Sequence, residues 1–368
     1  MDRRNPYHRD WQPPFCPNHN CKYHRLLGPS WPYKKTGFYY RKTPPYRVPR
    51  FLCKTCQRSF SCQTFSPDYW LKRPDLLPKL MTKTCGCMAN RQIARDLKVS
   101  PSTIDRQLSR LGRHCLLFHQ QMLEYLSAPQ DITIDGFESF ELSQYYPFHH
   151  HLAVDNQTGF FIWFTDSPLR RKGRMTLFQK QRRAELEGRH GRPDPQAVQK
   201  DMRDLLQQVT RGSKQIIIRS DEHRVYQQVI RNLDGAVYHR VTSAQERRDK
   251  RNLLWEVNLL DLLIRHSSAN HKRETLAWSK RRQSSAERLA VFLVWRNYVN
   301  FRWQKRCKTT PAMAAGVCKR ALNVAEILKQ RLFPSLVRLK GRWLEYYRRK
   351  VRTPALGVNR EHQLKYAI

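Results

Sequence analysis

Two short apolar runs in the sequence each deliver an aspartate. One is Asp131-Ile132-Thr133-Ile134-Asp135, the other Gln215-Ile216-Ile217-Ile218-Arg219-Ser220-Asp221. Acid is scarce elsewhere, with 30 Asp and Glu against 69 Lys and Arg and a formal net charge of +39. Two carboxylates at the ends of β-rich stretches are what a phosphoryl-transfer site on a sheet requires. Two Mg²⁺ ions about 3.5–4 Å apart can clamp the attacking and leaving oxygens of a phosphodiester, and carboxylates must hold them. The bland alternative is a pair of ordinary surface aspartates at strand ends.

A second constellation is rich in sulfur. Cys16 and Cys21 form a C-x4-C pair, and Cys53 and Cys56 a C-x2-C pair. Zinc takes four soft ligands in a tetrahedron, and tight turns present thiolates two at a time. His19 and His24 could compete for the first pair, and Cys62 is a further candidate ligand. Tyr39, Tyr40, Tyr46 and Val48 between the pairs suit short strands, so a zinc ribbon is expected over residues 1–66.

Residues 67–120 carry the pattern of a helix-turn-helix. Leu76, Leu77 and Leu80 mark a first helix. Asn90 reads as the N-cap of a second, with Ile93, Ala94 and Leu97 on one face. Ser100-Pro101 is a cap followed by proline at the first helical position. A third helix then carries Ile104, Leu108 and Leu111 inward, and is expected to show Ser102, Thr103, Arg106, Gln107 and Arg110 outward. Such side chains hydrogen-bond bases or phosphates in a major groove.

The elements that must position Asp135 and Asp221 lie within residues 125–305. Three strands are expected from Asp131 to Phe164, then a helix over Ala197–Val209, the strand ending in Asp221, a helix over Arg224–Asn232, and a strand over Gly235–Val241. This order predicts an α/β core: a mixed sheet with helices on its faces, and the two aspartates on adjacent central strands. His149, His150 and His151 alternate across a strand and make a poor metal face. Arg170-Arg171-Lys172-Gly173-Arg174 is either a phosphate grip or a solvated run. Trp278–Tyr298 reads as one long helix. Trp295, Tyr298, Phe301 and Trp303 read as core aromatics. Residues 306–368 read as a basic, helical C-terminal region, with helices at Pro311–Ala321 and Val324–Arg331. Trp343, Tyr346 and Tyr347 there suit either nucleic-acid contact or a docking helix.

With ribbon, helix-turn-helix and core in this order, the chain resembles bacterial insertion-sequence transposases, whose DDE nuclease core is RNase H-like. The resemblance covers roughly residues 15–320. Its most specific piece runs from Asn252 to Lys280 and ends Arg273-Glu274-Thr275-Leu276-Ala277-Trp278-Ser279-Lys280. Thr310-Pro311-Ala312-Met313-Ala314-Ala315-Gly316 also looks like the C-terminal region of that group. The resemblance implies Asp135 as first acid and Asp221 as second, with Mg²⁺ or Mn²⁺ between them and Zn²⁺ in the ribbon. The family's third acid, a glutamate, falls on Asn258. Asp261 shares a helix face with Asn258 and is taken as the third acid. Glu256 is the alternate, and Glu274 also lies near.

The implied activity is binding of terminal inverted repeats in double-stranded DNA, strand cleavage and strand transfer by a homo-oligomer. The alternative is a non-enzymatic DNA-binding regulator with a degenerate core. The charge points to a polyanion partner. No apolar run approaches the roughly 18–20 residues of a membrane span. Met1–Pro6 lacks a signal peptide's apolar region, so a cytoplasmic, nucleoid-associated protein with reduced thiols is expected.

Overall fold

The computed structural model describes residues 11–26, 30–303 and 308–361. The ends of the chain on which the signal-peptide and basic-tail readings partly rest, 1–10 and 362–368, lie outside the described residues. A small antiparallel sheet comes first: β1 (Tyr33–Tyr40), β2 (Arg47–Cys53) and β3 (Ser59–Ser61), in that order. Aromatic rings supply its core. Phe51 and Phe60 stack at 5.5 Å, Trp11 packs on Phe65 at 5.3 Å, and Phe333 arrives from far along the chain to join them.

Three helices follow: α1 (Leu76–Cys85), α2 (Asn90–Asp96) and α3 (Pro101–Met122). Ser100 caps α3 as expected, its Oγ accepting the Thr103 N–H at 3.3 Å, with proline at the first turn. Asn90 is not a cap. It is the first residue of α2, the capping position belongs to Ala89, and Gln92 Oε1 accepts the Ala89 N–H at 2.9 Å.

The larger sheet holds β4 (Asp131–Phe140), β5 (Pro147–Asp155) and β6 (Phe161–Pro168). These are followed by α4 (Leu177–His190), α5 (Ala197–Val209), β7 (Gln215–Asp221), α6 (Arg224–Arg231) and β8 (Ala236–Thr242). The spatial order is β6-β5-β4-β7-β8. β4 pairs antiparallel with β5 and β5 with β6, while β7 runs parallel to β4 and β8 parallel to β7. The sheet is therefore mixed, and β4 and β7 are neighbours at its middle. α7 (Trp255–Ser267) packs across β4 and β5, whereas α5 packs on β5 and β6.

α8 (Arg282–Val294) runs against α3 and ends in a π-helical turn, Trp295–Val299. Gly112 permits this contact, since a Cβ there would lie 2.4 Å from the Glu287 carbonyl oxygen. One hydrophobic core consequently runs from Leu76 to Val351, through the three helices and the sheet. The expected division between residues 67–120 and 125–305 does not separate two cores.

The C-terminal region is less helical than its pattern. Only single turns form at α9 (Pro311–Ala314) and α10 (Val324–Ile327), followed by α11 (Gly341–Tyr347). Gly316 at φ +72° turns the chain out of the first. α11 docks on the edge strand β6. Trp343 stacks on Trp163 at 3.7 Å and donates to the Phe164 carbonyl at 2.8 Å, and Arg342 pairs with the fully buried Asp166 at 2.9 Å. Covering an edge strand in this way removes a site for unwanted pairing. Trp343 and Tyr346 are thus docking residues. Tyr298 is buried, but Trp303 is 45% exposed under Lys250 and is not a core ring.

Candidate functional site

Alternation along β4 sends Ile132 and Ile134 to one face and Asp131, Thr133, Asp135 and Phe137 to the other. The parallel register pairs Asp131 with Ile217, Ile132 with Ile218 and Thr133 with Arg219. The paired register ends there, and Asp135 and Asp221 each lie two residues beyond it on the face of Thr133 and Arg219. The charge of Asp221 acts on the Asp135 carboxyl, so the two acids are near each other. Asp221 ends β7, and its Oδ1 accepts the His223 N–H at 3.1 Å. Asp131, nearby on that face, is held by Arg219 at 2.9 and 2.5 Å and is satisfied without a metal.

Burial drives the Asp135 carboxyl up to about 7. The Gly136 N–H pulls it down, Asp221 and Asp261 push it further up, and Arg248 offsets part of this. Asp135 therefore feels the charge of both other acids. Gly136 is the only residue that fits beside Asp135, because a Cβ would lie 1.8 Å from the His150 carbonyl oxygen. Burial raises the phenol of Tyr226 on α6, and the nearby charges of Asp135 and Asp221 raise it further.

The candidates for third acid separate clearly. Asp261 lies on the part of α7 beside Asp135, its carboxyl raised by burial and lowered again by Arg265. Arg265 Nε reaches its two oxygens at 2.9 and 3.0 Å. Glu256 instead faces the β5–β6 turn, with Arg302 at 3.9 Å and its Oε2 2.8 Å from where a Gly159 Cβ would be. Glu274 is exposed in the loop after α7, and Asn258 is half-buried on α7. The acids are not drawn tightly together. Among the described residues only the four cysteines form a group whose ligand atoms all lie within 4.8 Å of one another.

Those cysteines are Cys16, Cys21, Cys53 and Cys56. Cys16 Sγ lies 3.6 Å from Cys56 Sγ, and Cys21 Sγ 3.9 Å from Cys53 Sγ. A tetrahedron with Zn–S bonds of about 2.3 Å has edges of about 3.8 Å, so the cluster fits zinc. Burial alone would raise the Cys53 thiol, but N–H groups of Cys56 and Thr55 and the Trp31 indole at 3.3 Å outweigh it and bring it down to about 7. The competing ligands fall away. His24 is buried between the Cys16 carbonyl at 2.7 Å and the Ser335 hydroxyl at 2.6 Å, and His19 is exposed. Cys62 is a buried thiol outside the cluster, pushed up to about 12 by burial. All the described cysteines are free of disulfides.

The five polar residues expected on the outer face of α3 divide. Ser102 and Arg106 are exposed, and Thr103 is half-buried at the cap. Gln107 is buried and donates to the Arg73 carbonyl at 3.2 Å. Arg110 donates to the carbonyls of Pro67 and Tyr69, and burial brings it down to about 10. These two tie α3 to the segment before α1, with Gln107 buried and Arg110 half-buried. Packing on two sides of α3 explains the difference, since position 107 shares a face with Ile104, Leu108 and Leu111.

The histidines behave as strand residues. His150 bonds Ser285 at 2.9 Å on one face, while His151 bonds Ser167 at 2.8 Å on the other. Arg170 grips Glu187 of α4 at 2.8 Å. Arg248, Arg265 and Gly136 are site residues that sequence reasoning passed over. Arg265 was detectable as the i, i+4 partner of Asp261.

No protein-family model matches this chain, and no curated protein matches it. Among solved structures, one described as a cryoEM structure of the simian T-cell lymphotropic virus intasome in complex with PP2A regulatory subunit B56 gamma aligns at a TM-score of 0.24 and 13% identity. The alignment covers 52% of this chain and 58% of that one, so the chain spans little more than half the neighbour's length. At this score the likeness carries no argument. Among the described residues no helix is long and apolar enough to cross a membrane.

Proposed function

We propose that the protein is a metal-dependent polynucleotidyl transferase of the transposase type, with an RNase H-like core, a DNA-binding helix-turn-helix at α1–α3 and a zinc ribbon before it. The observation that carries the reading is the placement of Asp135 and Asp221 on adjacent central strands, each two residues past the last paired position, with Asp221 and Asp261 near enough to raise Asp135. The strand order β6-β5-β4-β7-β8, with the first three strands antiparallel, supports the core assignment.

The donor set suits magnesium. Hard carboxylates stand near Asp135, where burial and repulsion disfavour its ionisation, and a divalent cation drawing them together would relieve both. Bound there, Mg²⁺ supplies Lewis-acid stabilisation of the attacking and leaving oxygens. Asp135 and Asp221 would hold it, and one or two carboxylates suffice when substrate phosphates complete the shell. Arg265 orients Asp261, and Arg248 adds positive charge beside Asp135. The net charge of +39 favours DNA as the polyanion. Cutting two ends and joining them implies at least a dimer.

The test is nicking of a supercoiled plasmid carrying the flanking DNA of the gene, with Mg²⁺ or Mn²⁺. Asp135→Asn should abolish nicking and leave DNA binding within about twofold of the wild type. Nicking retained by that variant removes Asp135 from the site. A second reading, a regulator that binds DNA without cutting it, is favoured by the clasp of Arg265 on Asp261 and by Asn258. Absence of nicking by the wild type with either metal selects it.

A further inference from the structure

Beyond Phe137 a groove opens at the far end of β4. Glu138, Ser139 and Phe140 of β4 form one wall, Ser139 on the face that carries Asp135, and Arg265, Lys272, Arg273 and Trp278 form the other. The cleft measures about 340 Å³, within the range of small-ligand pockets. It is joined to the acids by Arg265, which holds Asp261 through Nε and stands over the Phe137 ring at 5.1 Å. Arg273 also acts on Asp261 electrostatically. Lys272 and Arg273 are exposed, and Glu138 is the one acid in the lining, so the groove is cationic.

Its rings are unusual for their place. Phe140 is 40% exposed on a strand. Trp278 is anchored by its Nε1 donating to the Leu142 carbonyl at 3.4 Å, with the Lys280 ammonium 3.7 Å from the ring centroid. Fixed aromatic surface beside free cations matches the two halves of a nucleotide, a π-face and a phosphate. Ser139, in the groove lining and on the same face as Asp135, lies four residues beyond it, about 13 Å at the rise of a strand. A single DNA strand passing the acids reaches it within a few nucleotides. A base in a duplex has both faces stacked, so a ring in such a cleft can receive only an unpaired one.

We propose that this groove takes an unpaired nucleotide of a DNA strand running past the acids, its base against Trp278 and its phosphates against Lys272 and Arg273. The inference rests on the phosphoryl-transfer reading for the strand's path, and its test does not depend on cleavage.

The probe is a duplex with a short single-stranded dT tail containing one 2-aminopurine, compared with the blunt duplex, using the full chain without added divalent metal. The wild type should bind the tailed duplex about tenfold tighter than the blunt one and quench the 2-aminopurine. Trp278→Ala should lose both the preference and the quench while keeping blunt-duplex affinity, and Trp278→Phe should retain most of each. Arg273→Gln should weaken tailed binding but leave the quench at saturation. Equal binding and quench in Trp278→Ala, or no tail preference in the wild type, overturns the proposal. Quench without nicking in a parallel Mg²⁺ assay supports the groove and overturns only the cleavage reading.

Discussion

Asp135 concentrates the chemistry of the site in one carboxyl. With its proton held to about 7 in the fold, it stays neutral where the unfolded chain, at the ordinary carboxylate value of 3.8, has already ionised. Between these two values the unfolded state binds fewer protons, so the contribution of Asp135 to stability falls as pH rises. Asp135→Asn should therefore melt higher than the wild type above pH 7 without metal, by on the order of 1–3 kcal/mol. The two curves should meet below pH 4. A metal held there, as proposed, would reverse the balance, because its ligand must lose the proton. Calorimetric titration of Mn²⁺ at pH 6 in two buffers of different ionisation heat should show proton release that fades by pH 8. Release that does not vary with pH assigns the metal to other groups. The aspartates at 135 and 221 were legible as acids on β-rich runs, but only Asp221 ends its strand, since β4 continues past Asp135 to Phe140. Gln107 and Arg110 were misread because residue type says nothing about a second packed face.

At the scale of elements, α3 is the helix proposed to meet DNA and is also a beam of the core. Its contact with α8 closes at Gly112, so Gly112→Ala should cost about 2–3 kcal/mol in urea denaturation, from overpacking against the Glu287 backbone. An unchanged midpoint means the helices can slide apart freely. The ribbon depends on sulfur in another way. Its three short strands enclose a small aromatic core, and the thiolates are spaced for zinc. Chelation, or Cys53→Ser, should remove the near-ultraviolet signal of Trp31, whose indole bonds Cys53. The far-ultraviolet spectrum of the helices should persist. Loss of all secondary structure together would make the ribbon inseparable from the core. Periodicity located α5 to the residue and most strands closely. It overran at Pro311–Ala321 and Val324–Arg331, where single turns end in docking segments. It also missed α4, which has no buried residue to set a period.

For the molecule as a whole, the excess of 69 basic over 30 acidic residues governs association. Each phosphate contact releases counterions, so affinity for any duplex should fall about 10³-fold between 50 and 200 mM salt. Fluorescence anisotropy with a labelled duplex measures this, and a flat response excludes DNA as the polyanion.

Local order, by contrast, was settled by the chain alone. Alternating apolar residues, a serine–proline start and paired cysteines act within a few residues, so they declare strands, a helix and a metal knuckle wherever they occur. Which acid stands beside Asp135 was another matter. Glu256 and Asp261 lie five positions apart on α7 and so point to different sides of it, but which side meets the carboxylates and which the β5–β6 turn is decided by how that helix packs across β4 and β5. Crossing angles arise from packing summed over distant segments, and no short stretch of sequence contains them.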